Sequence, residues 1–232
     1  MATVRLDALI ARAAGVSRKA ARILINAGEV SVAGVTRPTV SLAIDGQLVS
    51  LRGTPLSLPG HRYYMLHKPP GRVSSTSDAE GLSVLALLPA ALRRDLHLVG
   101  RLDRDTTGLL LLTTDGQWSH RITSPRSDCH KVYRVTTTLA LTAGMISQLE
   151  QGILLRGERA PCLPAQVEQL GAQDIRLTLQ EGRYHQVKRM LAAVGNHVQC
   201  LHRERIGALT LDPALAPGDY RALTEQEVML LN

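Results

Sequence analysis

Gly100-Arg101-Leu102-Asp103-Arg104-Asp105-Thr106-Thr107-Gly108 runs without a break into Leu109-Leu110-Leu111-Leu112. A carboxylate therefore stands on a short polar turn directly ahead of a strongly apolar run. Four consecutive leucines read as a strand covered on both faces, a pattern that a buried helix segment shares. Thr106, Thr107 and Gly108 suit a tight turn whose hydroxyls bond nearby backbone. Asp103 would then be fixed at the lip of a rigid element, where small displacements are costly to catalysis. A plain turn aspartate has the same local pattern. A calcium loop does not: Asp103, Asp105 and Gly108 fit its positions one, three and six, but Thr114 stands where a bidentate Glu is required. Cys129, Cys162 and Cys200 lie far apart and no His-Glu-x-x-His pattern occurs, so no metal is expected.

The 232 residues are enough for one large domain or two modest ones. No apolar run approaches the ~18 residues needed to span a bilayer. The first residues lack the basic-then-apolar pattern of a secretory signal. Three unpatterned cysteines point to a reducing cytoplasm. A net charge of +7 favours a polyanionic partner, nucleic acid ahead of an anionic membrane surface. Aromatic residues make up only 3% of the chain, with no Phe, so recognition by rows of stacked rings is not expected.

Residues 1–60 read as a separate module. Leu6, Leu9 and Ile10 follow helical spacing, Gly15 breaks it, and Ser17 offers an N-cap. A second helix is expected from Arg18 to Ala27, with Gly28 as its stop. Glu29 to Val35 alternates like a strand around an Ala33-Gly34 turn, and Ile44-Asp45-Gly46-Gln47 signals a hairpin. Arg18 and Arg22 share one helical face. Seven Lys/Arg against three Asp/Glu give this module a net +4. Arg52 to Gly60 reads as the linker into residues 61–232.

The remainder alternates strand-like and helix-like pieces, an α+β pattern. Strands are expected at Tyr63–His67, Leu98–Leu102, Leu109–Thr113, Lys131–Thr138 and Ile175–Leu179. Helices are expected at Thr142–Gln151 and Tyr184–Val194. On the second of these, Val187, Met190, Leu191 and Val194 form an apolar stripe. Lys188 borders that stripe and Arg189 points further out.

Several of these stretches together resemble the pseudouridine synthases. Arg101-Leu102-Asp103 is similar to their central signature, which implies Asp103 as the catalytic residue. Lys68-Pro69-Pro70-Gly71 resembles their first motif, with Lys68 positional. His130-Lys131-Val132-Tyr133-Arg134-Val135 resembles the segment carrying an active-site tyrosine, here Tyr133. Glu181-Gly182-Arg183-Tyr184-His185-Gln186-Val187-Lys188-Arg189-Met190 resembles the segment with a basic partner for the acid, which selects Lys188. Arg5-Leu6-Asp7 and Ser17-Arg18-x-x-Ala21-Arg22 in the N-terminal module resemble the S4 RNA-binding domain.

The resemblance implies an isomerase that converts uridine to pseudouridine within RNA, with no cofactor and no metal. Its fold would be an S4-like module over 1–60 and, over 61–232, a mixed, mainly antiparallel sheet with a central cleft. Arg5, Ser17, Arg18, Lys19 and Arg22 are its expected RNA contacts in the first module, with Arg101, His185, Gln186 and Arg189 in the second. Asp115-Gly116-Gln117-Trp118-Ser119-His120-Arg121-Ile122-Thr123-Ser124-Pro125-Arg126 and Leu201-His202-Arg203-Glu204-Arg205-Ile206-Gly207 are similar to the branch acting on the small ribosomal subunit. That implies a bacterial cytoplasmic monomer acting on 16S rRNA or a partly assembled small-subunit particle, with no membrane partner. A 23S uridine is the nearest alternative substrate. A non-catalytic RNA-binding assembly factor is the alternative from another class.

Overall fold

The computed structural model describes residues 4–36, 38–40, 42–44, 48–56, 60–76, 79, 81–124 and 127–231. The chain divides into two compact units, Met1–His61 and Arg62–Asn232.

In the first unit, β1 (Val4–Arg5) leads into α1 (Leu6–Ala14), which Gly15 closes in the left-handed conformation at φ 74°. Ser17 caps α2 (Arg18–Asn26), its hydroxyl accepting the Ala20 N–H at 3.1 Å. β2 (Val30–Val32) and β3 (Val35–Thr36) turn back through Ala33 and Gly34, both at positive φ, as a two-residue hairpin turn requires. β4 (Ala43–Ile44) pairs with β1, while β5 (Val49–Leu51) pairs with β2. Leu6, Leu9 and Ile10 on one stripe of α1 pack with Ala21, Ile25, Val30, Val32 and Val49 into a single core. The hairpin expected at Asp45–Gln47 lies outside the described residues. Arg52 to Gly60 is not a linker over its first half. Arg52 and Gly53 make a positive-φ turn, and β6 (Thr54–Pro55) folds back on β5.

The second unit begins with β7 (Tyr63–Lys68), a short α3 (Ala90–Arg93), β8 (His97–Val99) and β9 (Thr107–Thr113). It continues through α4 (Gly116–Thr123), β10 (Lys131–Thr137), α5 (Ala143–Gln151), β11 (Gln166–Gln169) and β12 (Asp174–Leu179). Then come α6 (Gln186–Ala193), β13 (Val198–Ile206), β14 (Leu209–Thr210), β15 (Tyr220–Ala222) and α7 (Glu225–Met229). Among the described residues these strands form one sheet in the order β11-β12-β10-β13-β9-β7-β15, with β14 on β13 and β8 on β9. Every pairing is antiparallel except β13 against β9. The architecture is therefore mixed α and β with a mainly antiparallel sheet.

The tetraleucine run is a strand in the interior of this sheet. Leu110 and Leu112 pack on one face with Tyr64, Leu66 and Leu88, while Leu109 and Leu111 pack on the other with Met65, Trp118 and Ile206. Each fully buried leucine is worth about 1.5–3 kcal/mol, so this strand is an anchor for whatever is attached to it. Two expected elements are shorter than their sequence pattern. The strand expected over Leu98–Leu102 ends at Val99, because Gly100 turns the chain at φ 75°. The helix expected from Tyr184 starts at Gln186, because His185 sits in the left-handed region at φ 48°.

Candidate active site

Asp103 lies on the loop between β8 and β9, and neighbouring elements pin that loop from several directions. Thr106 donates its N–H to the Asp103 carbonyl at 3.1 Å, closing the tight turn. Ser74 bonds both the carbonyl and the N–H of Leu102, at 2.8 and 3.1 Å. The fully buried Lys68 at the end of β7 donates to the carbonyls of Pro69, Arg104 and Thr106, at 3.1, 3.2 and 2.8 Å. Burial pushes the Lys68 ammonium down to about 8, against the opposing pull of Asp105 and Asp103. Gly108 begins the contact of β9 with β13 at φ 105°, and a Cβ there would run into the Arg203 backbone. Only glycine lets the two parallel strands meet at this point.

The pinned carboxylate faces a cavity of about 440 Å³ whose walls include Asp103, Tyr133, His185, Lys188, Lys131 and Arg203. Tyr133 is on β10, Lys188 on α6 and Arg203 on β13, so one helix, two strands and one loop converge here. Lys188 Nζ is 3.3 Å from Asp103 Oδ2, which brings together the acid and the base expected as its partner. The lysine is held more closely by Asp105, at 2.6 and 2.8 Å from its two oxygens. Burial pulls the Lys188 ammonium down, but the Asp105 hydrogen bond and the Asp103 charge outweigh it, so its pKa is raised. The same hydrogen bond holds the Asp105 carboxyl below its ordinary value. His185 Nε2 lies 3.4 Å from Asp103 Oδ1. A non-glycine residue in the left-handed region costs about 1–3 kcal/mol, so His185 is strained at the cavity wall. Tyr184, 70% exposed, stacks on the His185 ring at 3.8 Å.

Two residues expected as RNA contacts are also bonded within the protein. Gln186 is buried, accepting the Arg183 N–H at 2.8 Å and donating to Glu181 at 2.9 Å. Arg189, whose helical phase pointed it outward, bonds Glu158 at 2.9 Å and the backbone carbonyls of Tyr184 and Arg156. A loop folding over the helix created that partner, and spacing along the helix carries no trace of it. Arg101 is exposed on the cavity wall. In the first unit Lys19 is exposed, and Ser17 acts as a helix cap. Arg5, Arg18 and Arg22 converge on the fully buried Asp7, at 3.2, 3.0 and 3.0 Å, leaving half of each side chain exposed. The Arg5 hydrogen bond, with Arg18 and Arg22 behind it, holds the Asp7 carboxyl well below the usual carboxylate range despite its burial.

Sequence reasoning missed Asp105 as a ligand of the lysine, Asp7 as the hub of the arginines, and Arg203. Each lay inside a quoted motif. Only the fold shows what each touches.

Comparison with known proteins fits this geometry. Residues 62–193 match the family described as RNA pseudouridylate synthase. A ribosomal small subunit pseudouridine synthase A from Vibrio cholerae is 49% identical over 97% of this chain and 98% of its own length. The protein of the same name from Escherichia coli K12 is 49% identical over the same shares. A pseudouridylate synthase crystal structure is 42% identical and superposes with a TM-score of 0.74, covering 99% of this chain and 100% of the other. With the match running through the Asp103 loop, the Tyr133 strand and the Lys188 helix, the chain belongs to the RNA pseudouridylate synthase family.

Proposed function

We propose that the protein isomerises one uridine of small-subunit ribosomal RNA to pseudouridine, with Asp103 as the reacting group. The observation that carries this reading is the Asp103 carboxylate on its pinned loop, facing a cavity it shares with Tyr133 and with Lys188 at 3.3 Å. The near full-length likeness to small-subunit enzymes supports the choice of RNA. In the reaction the N1–C1′ bond breaks, the uracil turns, C5 joins C1′, the C5 proton is lost to restore the aromatic base, and N1 takes up a proton. Atoms and charge balance without a co-reactant. Asp103 either attacks C1′ or removes the C2′ proton, and both roles need a carboxylate held still against the sugar. Lys188 supplies the counter-charge. Tyr133 stacks on the uracil and stands ready for the late proton transfer at C5.

The target base must leave its stack to enter the cavity, which is cheapest in loops and single strands. The cavity is read as the central cleft of the fold, and the protein is read as acting as a monomer. Residues 1–61 are read as an S4-like RNA-binding unit, with Arg5, Arg18, Lys19 and Arg22 toward the phosphates. The substrate is the 16S rRNA itself or a partly assembled small-subunit particle.

A pseudouridine-specific chemical map of 16S and 23S rRNA after incubation with wild type and Asp103→Asn tests this. One new 16S site, present with wild type alone, is the expected result. A 23S site would overturn the specificity, and a site made equally by Asp103→Asn would overturn the role of Asp103. RNA bound but never modified, whether as transcript or as assembling particle, would favour a binding factor instead.

A further inference from the structure

Arg203 and Lys131 line the same cavity as Asp103, and neither is used by the chemistry above. Arg203 is 4% exposed. Its Nε donates to the Leu109 carbonyl at 2.8 Å, and its Nη2 is buried without a hydrogen-bond partner among the described residues. No carboxylate among the described residues reaches it. The partly buried Arg183 and Arg221 are by contrast paired with acids, Arg183 with Glu181 at 3.1 Å and Arg221 with Asp212 and Glu227 at 2.6 and 2.7 Å. Lys131 is half-buried, and among the described residues its Nζ bonds the Ile122 carbonyl, at 3.5 Å. Burial lowers the Lys131 pKa; the charge of the neighbouring Cys129 opposes this and the nearby Arg203 charge adds to it. A buried arginine with one nitrogen unpartnered, beside a half-buried lysine, costs the folded state free energy. An anion entering the cavity would offset that cost.

The sheet aims both groups at the reacting nucleotide. Arg203 lies directly across the β10–β13 ladder from Tyr133, so their side chains share a face. Lys131 precedes Tyr133 by two residues on the same strand and also lines the cavity. Under the reading given above, a uridine occupies this cavity with its ribose at Asp103. Uracil and ribose are both neutral. The formal anion that such a nucleotide brings is its phosphodiester, attached to the ribose on which Asp103 acts.

We propose that Lys131 and Arg203 form an anion subsite, distinct from the Asp103–Lys188 pair, that takes a phosphodiester flanking the target uridine. This rests on the RNA-modifying reading, and the subsite fixes where along the strand the sugar stops. The first test is affinity for a small-subunit rRNA transcript across a salt series, with wild type, Lys131→Gln and Lys131→Arg. Lys131 is partly exposed, so Lys131→Gln is expected to melt with wild type. It should bind several-fold more weakly, and its plot of log affinity against log salt should be shallower by about 0.7–0.9, one phosphate contact. Lys131→Arg keeps the charge and should restore the slope. The second arm uses RNA carrying one neutral methylphosphonate linkage on either side of the mapped target. At one of the two linkages the Lys131→Gln penalty should vanish. An unchanged salt slope, or the same penalty at both linkages, overturns the subsite. Wild type that binds but forms no pseudouridine overturns the functional reading instead, while the slope still reports whether the cations hold a phosphate.

Discussion

Lys188 is held by two carboxylates, and the closer one is not the residue that the motif names. Asp105 takes it at 2.6 Å and Asp103 at 3.3 Å, so Asp105 positions the lysine and helps to keep it charged. Asp105→Asn should lower kcat about tenfold while leaving KM for RNA within a few-fold. The sign of the pH effect follows from the raised Lys188 pKa. Removing a carboxylate that raises it lets the lysine lose its proton at lower pH, so the alkaline limb of kcat should shift toward acid. A pH–rate profile with an unmoved limb would sink the assignment. Asp103 was singled out in the sequence by the likeness of Arg101-Leu102-Asp103 to a family signature, since a carboxylate on a turn is by itself a common pattern. The hold of Asp105 was not, because two acids on a turn have no separation until the turn is folded. Arg203 was hidden differently. β13 buries its residues without strict alternation, so nothing in the string marks Arg203 as facing inward.

At the scale of elements, the Asp103 loop depends on the fully buried Lys68. Lys68 ties β7 to the Asp103 loop through three carbonyls, and a strand buried on both faces lies on each side of that tie. Lys68→Met leaves three carbonyls without their donor, the Thr106 carbonyl fully buried, a loss of about 1–3 kcal/mol, and should cost activity beyond its effect on melting because the loop loosens. The pH dependence separates this from a generic packing defect. Lys68 titrates near 8 in the folded protein and near 10.4 when unfolded, so between those values the unfolded chain binds more protons. Raising the pH through that window should stabilise wild type relative to Lys68→Met, which melting curves at pH 8 and pH 10 would resolve. A constant difference would show that Lys68 is not depressed. The elements themselves were largely readable. Gly15, Ser17 and the Ala33-Gly34 pair marked boundaries that the backbone adopts, because caps and turns are local chemistry. The sheet order and the parallel step between β13 and β9 were not. Pairing is set by packing between residues about ninety-five positions apart, such as His202 against Thr107, and spacing along the chain does not record it.

Across the whole molecule, under the proposed function, the two units divide binding from chemistry. Every cavity residue discussed belongs to Arg62–Asn232, while the N-terminal unit contributes a net +4 of the +7 charge. Asp7 gives that charge its shape. A buried carboxylate that three arginines satisfy holds their outer halves side by side, so under the proposed function phosphates would meet an ordered cluster instead of three wandering side chains. Because the Asp7 pKa is depressed in the folded state, its contribution to stability is present above about pH 4 and disappears as the pH falls below that. The cluster should therefore fail at acid pH before the catalytic unit does. At neutral pH, Arg18→Gln with Arg22→Gln should raise KM and flatten the salt dependence of RNA affinity by about 1.5 log units per log unit of salt, two phosphate contacts. Lys131→Gln should flatten it by only half as much, and it alone should respond to a neutral linkage beside the target. If the double arginine variant kept the wild-type slope, the arginine cluster would be a structural knot around Asp7, and the positive field that draws RNA would have to come from the catalytic unit.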